Sequence, residues 1–261
     1  MYKNFGWQHM IKECVFLGLP FEYKNLCKIY PPTVGDMIGN PKARIYQGLL
    51  TVTQEDIEDQ LYGVNGATEK DTIPTPFEYL LIQAYQSQDN QELIKNAFHF
   101  FIKEDINFVF EKKQIIIGNL KELVSKIETL EDLEKLPMLT EENYFDFQNH
   151  IRAALGEKML EDYKRDKDQR VRRIKAKARY RDRIKAKRKK GNSIEISMIA
   201  ICCMNVGISP LNIEKLSYGA MSRIMAVYQG KEKYEIDIQS LLAGADKKKV
   251  KPKYWITEPE E

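Results

Sequence analysis

No apolar run in this chain approaches the length of about 18 residues that a membrane-spanning helix needs, so no helical span is expected. The first twenty residues lack a cationic segment followed by a clean apolar one, which argues against a secretory signal. Histidine is scarce: His9, His99 and His150 are scattered and share no motif. The phosphate-loop pattern GxxxxGK[ST], GxGxxG, GxSxG and HExxH are all missing. Four cysteines stand at positions 14, 27, 202 and 203 without a CxxC pair. Adjacent Cys202 and Cys203 are poor partners for each other, so neither a zinc site nor a disulfide scaffold is expected. Buried, reduced thiols are the simpler reading. Carboxylates are frequent, as in Glu55-Asp56, Glu58-Asp59 and Glu141-Glu142, but they fall at helix starts, where the macrodipole favours them. No catalytic constellation, metal site or cofactor site follows, and the chain reads as non-enzymatic.

What the sequence does have is one strongly basic stretch. Residues 164–190 hold 16 Lys or Arg against 3 Asp, a local charge of +13, in a chain whose total is +3. The remainder carries 25 basic and 35 acidic side chains, a net of −10. Lys, Arg and Ala are strong helix formers, and neither Pro nor Gly interrupts the stretch, so it reads as a helix. At about 1.5 Å per residue it spans about 40 Å. Asp166 with Arg170 and Asp168 with Arg172 are i,i+4 pairs of favourable orientation. Further along, like charges repel, so the helix needs a partner. Val171, Ile174 and Ala178 form a thin apolar stripe, with Ile184 off to one side, on which the rod is expected to rest. The candidate binding residues are Arg170, Arg172, Arg173, Lys175, Lys177, Arg179, Arg181, Arg183, Lys185 and Lys187. Three uses suit such a rod: docking on an acidic protein surface, its own body included; contacts to nucleic-acid phosphates; or a solvated face. Tyr180 is its lone aromatic, few for a base-stacking surface.

The rest reads as mainly α, an α+β chain with one small β-hairpin. The divisions are an α-rich region at 1–162 with a hairpin near 106–117, the basic helix at 163–190, a helical region at 191–246 and a tail at 247–261. Residues 21–30 read as one strand. Thr33 with Asp36, Thr53 with Asp56, Thr75 with Glu78 and Thr140 with Asn143 read as helix starts of the capping-box type. Leu93, Ile94, Ala97, Phe98, Phe101 and Ile102 follow the spacing of one buried helical face. The short polar break at 87–90 suggests a helical hairpin with the helix before it. A loop at 64–73 and a charged helix at 120–136 complete the first region. In the C-terminal region 194–204 is almost wholly apolar and reads as a helix buried all round. Ser209-Pro210 reads as a helix start, and two further helices follow at 218–228 and 231–243. His99 and His150 read as ordinary helix residues. The tail offers Tyr254, Trp255 and Ile256 as a candidate anchor.

The phrase Val206-Gly207-Ile208-Ser209-Pro210, with Leu211, Ile213 and Leu216-Ser217 after it, then an apolar and a charged helix, resembles the helical ends of tail assembly chaperones of tailed bacteriophages. The segment order of the whole chain is also similar to morphogenesis proteins of phages of Gram-positive hosts. That order runs through Pro31-Pro32-Thr33-Val34, the acidic stretch 53–59, Pro74-Thr75-Pro76-Phe77-Glu78-Tyr79-Leu80, Ala176-Lys177-Ala178-Arg179-Tyr180-Arg181 and Leu241-Leu242-Ala243-Gly244-Ala245-Asp246. The resemblance implies a non-enzymatic tail or baseplate assembly protein, chaperone-like or structural. Its partners would be tape-measure or baseplate and hub proteins, and its place the host cytoplasm or the virion. The alternative is a nucleic-acid-binding module that uses the basic helix. The resemblance transfers no catalytic residue.

Overall fold

The computed structural model describes residues 3–63, 73–125, 136–161, 168–188, 194–204, 207–246 and 250–254. Among them are eleven α-helices and a few short strands, so the protein is mainly α. Among the described residues, no helix is long and apolar enough to cross a membrane.

The main core grows from locally specified pieces. Helix α1 (Lys3–Leu17) is followed by β1 (Phe21–Tyr23) and β2 (Cys27–Ile29). The single strand expected at 21–30 is thus a hairpin. Lys24 and Asn25 turn the chain with φ of 44° and 55°, and Leu26 N–H donates to Tyr23 C=O at 2.7 Å. Helices α2 (Val34–Gly39), α3 (Ala43–Leu50) and α4 (Gln54–Gly63) come next. Thr33 and Asp36 cap each other at the start of α2, and Thr53 and Asp56 do the same for α4. Helices α5 (Pro76–Gln86) and α6 (Gln88–Ile102) meet through Ser87 alone and pack together.

Antiparallel strands β3 (Ile106–Val109) and β4 (Gln114–Ile117) pair Ile106 with Ile117 and Phe108 with Ile115. A two-residue strand β5 (Met138–Leu139), which the sequence did not signal, joins the edge of β4. Of the helix expected at 120–136, α7 (Leu120–Val124) is described, and residues 126–135 lie outside the described residues. So does most of the loop expected at 64–73. Helix α8 (Glu141–Ala154) starts at the Thr140–Asn143 capping box. Its Tyr144, Phe147 and Ile151 join Phe77, Phe98 and Phe101 of α5 and α6 as the buried centre. Phe98 stacks on Phe147 with ring centroids 5.6 Å apart.

The C-terminal helices depart furthest from the sequence reading. Helix α9 (Gln169–Arg188) is the described part of the basic stretch. Helix α10 (Ile194–Cys203) is not buried all round. Ile201 is fully covered, but Ile196 and Ile199 are about half exposed and Cys203 is exposed. It lays one face on α11 in a small cluster with Val34, Ile213 and Met221. Ser209 and Pro210 start no α-helix. The chain turns there and makes a 3-10 turn at Ile213–Lys215, because backbone pairing to the N-terminal region claims the next residues. Val34 N–H donates to Leu216 C=O and Tyr218 N–H to Pro32 C=O, both at 2.8 Å. The two helices expected at 218–228 and 231–243 are one, α11 (Tyr218–Leu242), capped by Ser217. Ser217 Oγ also donates to Val15 C=O of α1. A Cβ on Gly219 would lie 2.4 Å from Val15 Cγ1, and one on Gly156 2.7 Å from Gly219 Cα. Two glycines therefore let α11 start in direct backbone contact with the end of α8.

Candidate partner-binding surface

Helix α9 is held by α4. Sequence places Glu55, Asp56, Glu58 and Asp59 within the first turn and a half of α4, after the Thr53 cap. Burial then separates them. Glu58 and Asp59 are 0% and 1% exposed, while Glu55 and Asp56 stay half-covered. Arg179 lies over this turn: its Nε donates to Asp59 Oδ1 at 2.9 Å, and its Nη2 stands 3.7 Å from Glu58 and its Nη1 3.8 Å from Glu55. Arg183, one turn on, pairs with Asp56 and stands 3.2 Å from Asp59 Oδ2. Two guanidinium groups four residues apart thus bridge acids on successive positions of one helix. That arrangement fixes both the register and the rotation of α9.

The apolar floor of the contact is small. Ala176 of α9 is fully buried with Ile57, Tyr62 and Ile73. Gly63 makes the close approach possible, since a Cβ there would lie 2.7 Å from Tyr180 Cγ. Burial raises the Asp59 carboxyl above the usual carboxylate range, while the hydrogen bond and charge of Arg179 and the charge of Arg183 pull it down.

The expected apolar stripe is not the face that docks. Val171 and Ile174 are 36% and 61% exposed, Ala178 is exposed, and Ile184 is 36% exposed. Beside its small apolar floor, the wall that α4 offers to α9 is acidic, so the arginines turn inward and the apolar stripe turns out. The i,i+4 pair of Asp168 with Arg172 also does not form. Asp168 Oδ1 instead accepts the backbone N–H groups of Arg170 at 2.8 Å and Val171 at 3.4 Å and caps the helix. Asp166 lies outside the described residues.

The ten candidate residues therefore divide. Arg179 and Arg183 form the clamp. Arg172 and Arg173 are half-buried, and Arg172 Nε and Nη1 and Arg173 Nε are shielded from solvent without a hydrogen-bond acceptor. Arg170, Lys175, Arg181 and Lys185 are exposed and Lys177 is half-buried; the side chain of Lys187 is not among those described. Of the tail anchor, Tyr254 stands edge-on to Tyr234 with centroids 5.7 Å apart and is 53% exposed. Trp255 and Ile256 lie outside the described residues. Sequence reasoning passed over Glu55, Asp56, Glu58 and Asp59 as helix-start acids, and it missed Gly63 and Ala176. The signal for the acids was available: four carboxylates within five residues, in a chain with one concentrated source of cations.

Elsewhere, His150 is buried against Tyr23, and its Nδ1 lies 2.6 Å from Asp146 C=O. His99 is exposed on α6, at the rim of an open hollow of about 720 Å³ with Glu92, Asp105 and Asn119. Among the described residues no three His, Cys, Asp or Glu side chains gather as a metal site. No protein-family model, curated protein or solved structure matches the chain.

Proposed function

We propose that the protein is a non-enzymatic assembly protein of a tailed bacteriophage that binds other virion proteins, either tape-measure or baseplate and hub components, in the host cytoplasm or the virion. The observation that carries the binding role is the mounting of α9. One face is latched to α4 by Arg179 and Arg183, and the opposite face presents Arg170, Arg181 and Lys185 to solvent. A cationic helix held at a set rotation is a recognition surface, because electrostatic complementarity gives orientation and association rate. The tail-assembly setting rests on the resemblance of the segment order and of residues 206–217.

The experiment is capture of the tagged chain from infected host cells. Tape-measure, baseplate or hub proteins should co-purify with it, and a phage lacking the gene should make defective tails. Normal tails from that phage would remove the reading. A second reading, nucleic-acid binding, is favoured by the same exposed cations. It requires binding that weakens by about 0.7–0.9 log units per phosphate contact for each tenfold rise in salt. Absence of retention on DNA and RNA at low ionic strength would remove that one.

A further inference from the structure

Helix α9 carries two stripes of the same spacing. Arg172, Ala176, Arg179 and Arg183 face α4, and Arg170, Ile174, Lys177 and Arg181 follow two residues out of step. At 3.6 residues per turn, two residues turn the face by about 200°. The first stripe shows how this helix takes a partner: a small apolar contact at Ala176, with the guanidinium groups of Arg179 and Arg183 reaching carboxylates beyond it. The second repeats the arrangement in the open, with Lys177 alone half-buried. Its apolar members are Ile174, 61% exposed, with Val171 and Ala178 beside it. Its cations are Arg170, Lys177, Arg181 and, one turn further, Lys185.

From this we infer that the outer face of α9 docks an acidic amphipathic helix of a partner protein, with that helix's apolar edge on Val171, Ile174 and Ala178 and its carboxylates on Arg170, Lys177, Arg181 and Lys185. The inference rests on the binding-protein reading and names its partner's chemistry. Charge alone fits a nucleic-acid backbone equally well; the apolar seam does not. Phosphates laid along the cations would leave Ile174 uncovered or desolvate it against charge. An acidic helix with an apolar edge satisfies both halves of the stripe, as α4 does on the inner side.

The test uses the full chain and three fluorescent probes: a helical peptide with Leu along one edge flanked by Glu, a scrambled peptide of the same composition, and a short duplex DNA. Anisotropy should show the patterned peptide bound at least about 10-fold more tightly than the other two. Arg181→Glu should weaken that binding about 10-fold and Ile174→Ser about 5-fold, as expected for a charge contact and a partly buried side chain. Both side chains are exposed, so the melting temperatures of the variants should match the parent. Equal binding of DNA with no effect of Ile174→Ser would overturn the inference in favour of a bare polyanion face. Equal binding of the scrambled peptide, or binding of no probe, would also overturn it. Repeating the capture from infected cells with a double variant that carries Arg181→Glu and Ile174→Ser together separates the two proposals. If the parent captures tail proteins and the double variant captures them equally, the docking face is wrong and the assembly role stands. If the parent captures none, the assembly role fails, and the peptide result still judges the face.

Discussion

The α4–α9 clamp predicts a large cost for Arg179→Ala. Removing Arg179 leaves Glu58 and Asp59, 0% and 1% exposed, beside a guanidinium that is no longer there. Taking one member from a buried ion pair costs about 3–5 kcal/mol. Here the cost falls just below that range, because Arg183 still stands 3.2 Å from Asp59 and Arg179 is itself 28% exposed. We expect a loss of about 2–3 kcal/mol, equivalent to a fall in melting temperature of about 5–10 °C for a chain of this size. The decisive measurement is a double-mutant cycle with Asp59→Asn, read by urea unfolding. Residues in direct contact couple by about 0.5–3 kcal/mol, and this pair belongs in the middle of that range. Hydrogen exchange should localise the effect to residues 169–188. The penalty also depends on pH with a defined sign. Burial raises the Asp59 carboxyl, so the folded state holds that proton more tightly than the unfolded chain. Asp59's contribution is therefore fullest at low pH. It falls as pH climbs from about 3.9, the unfolded value, through the raised folded one. Loss of Arg179 lifts the carboxyl further, so the penalty for Arg179→Ala should be smaller near pH 4 than at pH 7. A pH-independent penalty with coupling under about 0.5 kcal/mol would refute the clamp.

Three other outcomes follow from single sites. Gly63→Ala should cost about 1–3 kcal/mol by forcing Tyr180 away from α4; combined with Tyr180→Ala it should cost less than the two changes summed. His150 is held below the usual histidine range, first by burial and then by Lys24, against an upward pull from the carbonyl and charge of Asp146. The folded state therefore binds fewer protons than the unfolded one, and stability should fall as pH drops below about 6.5, by at most about 1.4 kcal/mol per unit. His150→Gln should flatten that slope in urea midpoints between pH 5 and 7.5. Cys27 is buried and its thiol is pushed up to about 12 by burial and by the charge of Glu104, whereas Cys203 is exposed. Iodoacetamide at pH 8 should modify Cys203 in the native protein and Cys27 only after denaturant is added; prompt native labelling of Cys27 would contradict its burial.

Features fixed by neighbours in sequence were legible, and features fixed by distant ones were not. The capping boxes at Thr33, Thr75 and Thr140 are exchanges between residues three apart, so the sequence carries both halves. The β3–β4 hairpin was readable for the same reason. Helix α1 was not: its apolar residues follow no clean period, and its buried Ile11 and Val15 are positioned by α8 and by Gly219 of α11. The Ser209-Pro210 start is a sound local signal overruled by pairing of residues 216–218 with residues 32–34, nearly two hundred positions away. At the candidate surface, charge composition revealed a basic rod and an acidic body, but not which acids would meet it.

The inverted rotation of α9 explains why hydrophobicity alone misjudged it. Ranking side chains by apolarity turns Val171, Ile174 and Ala178 inward, which is right when the facing wall is apolar. The wall here is the first turn and a half of α4, and four carboxylates there would stay unpaired against an apolar stripe. A buried acid without a cation costs more than an exposed isoleucine, so Arg179 and Arg183 take the inner positions. Small residues then decide how close the helices come: Gly63 and Ala176 supply the approach that lets the guanidinium groups reach Asp56 and Asp59. Clamps of this kind add little net stability compared with apolar packing. What they add is a single rotation. An apolar stripe could slide or roll on its neighbour, whereas two arginines a turn apart on matched carboxylates hold the helix with Ile174 and Arg181 pointing outward. The displaced apolar stripe is thus a direct consequence of the acidic seat, and the surface open to a partner is set by the residues of α4 that no partner touches.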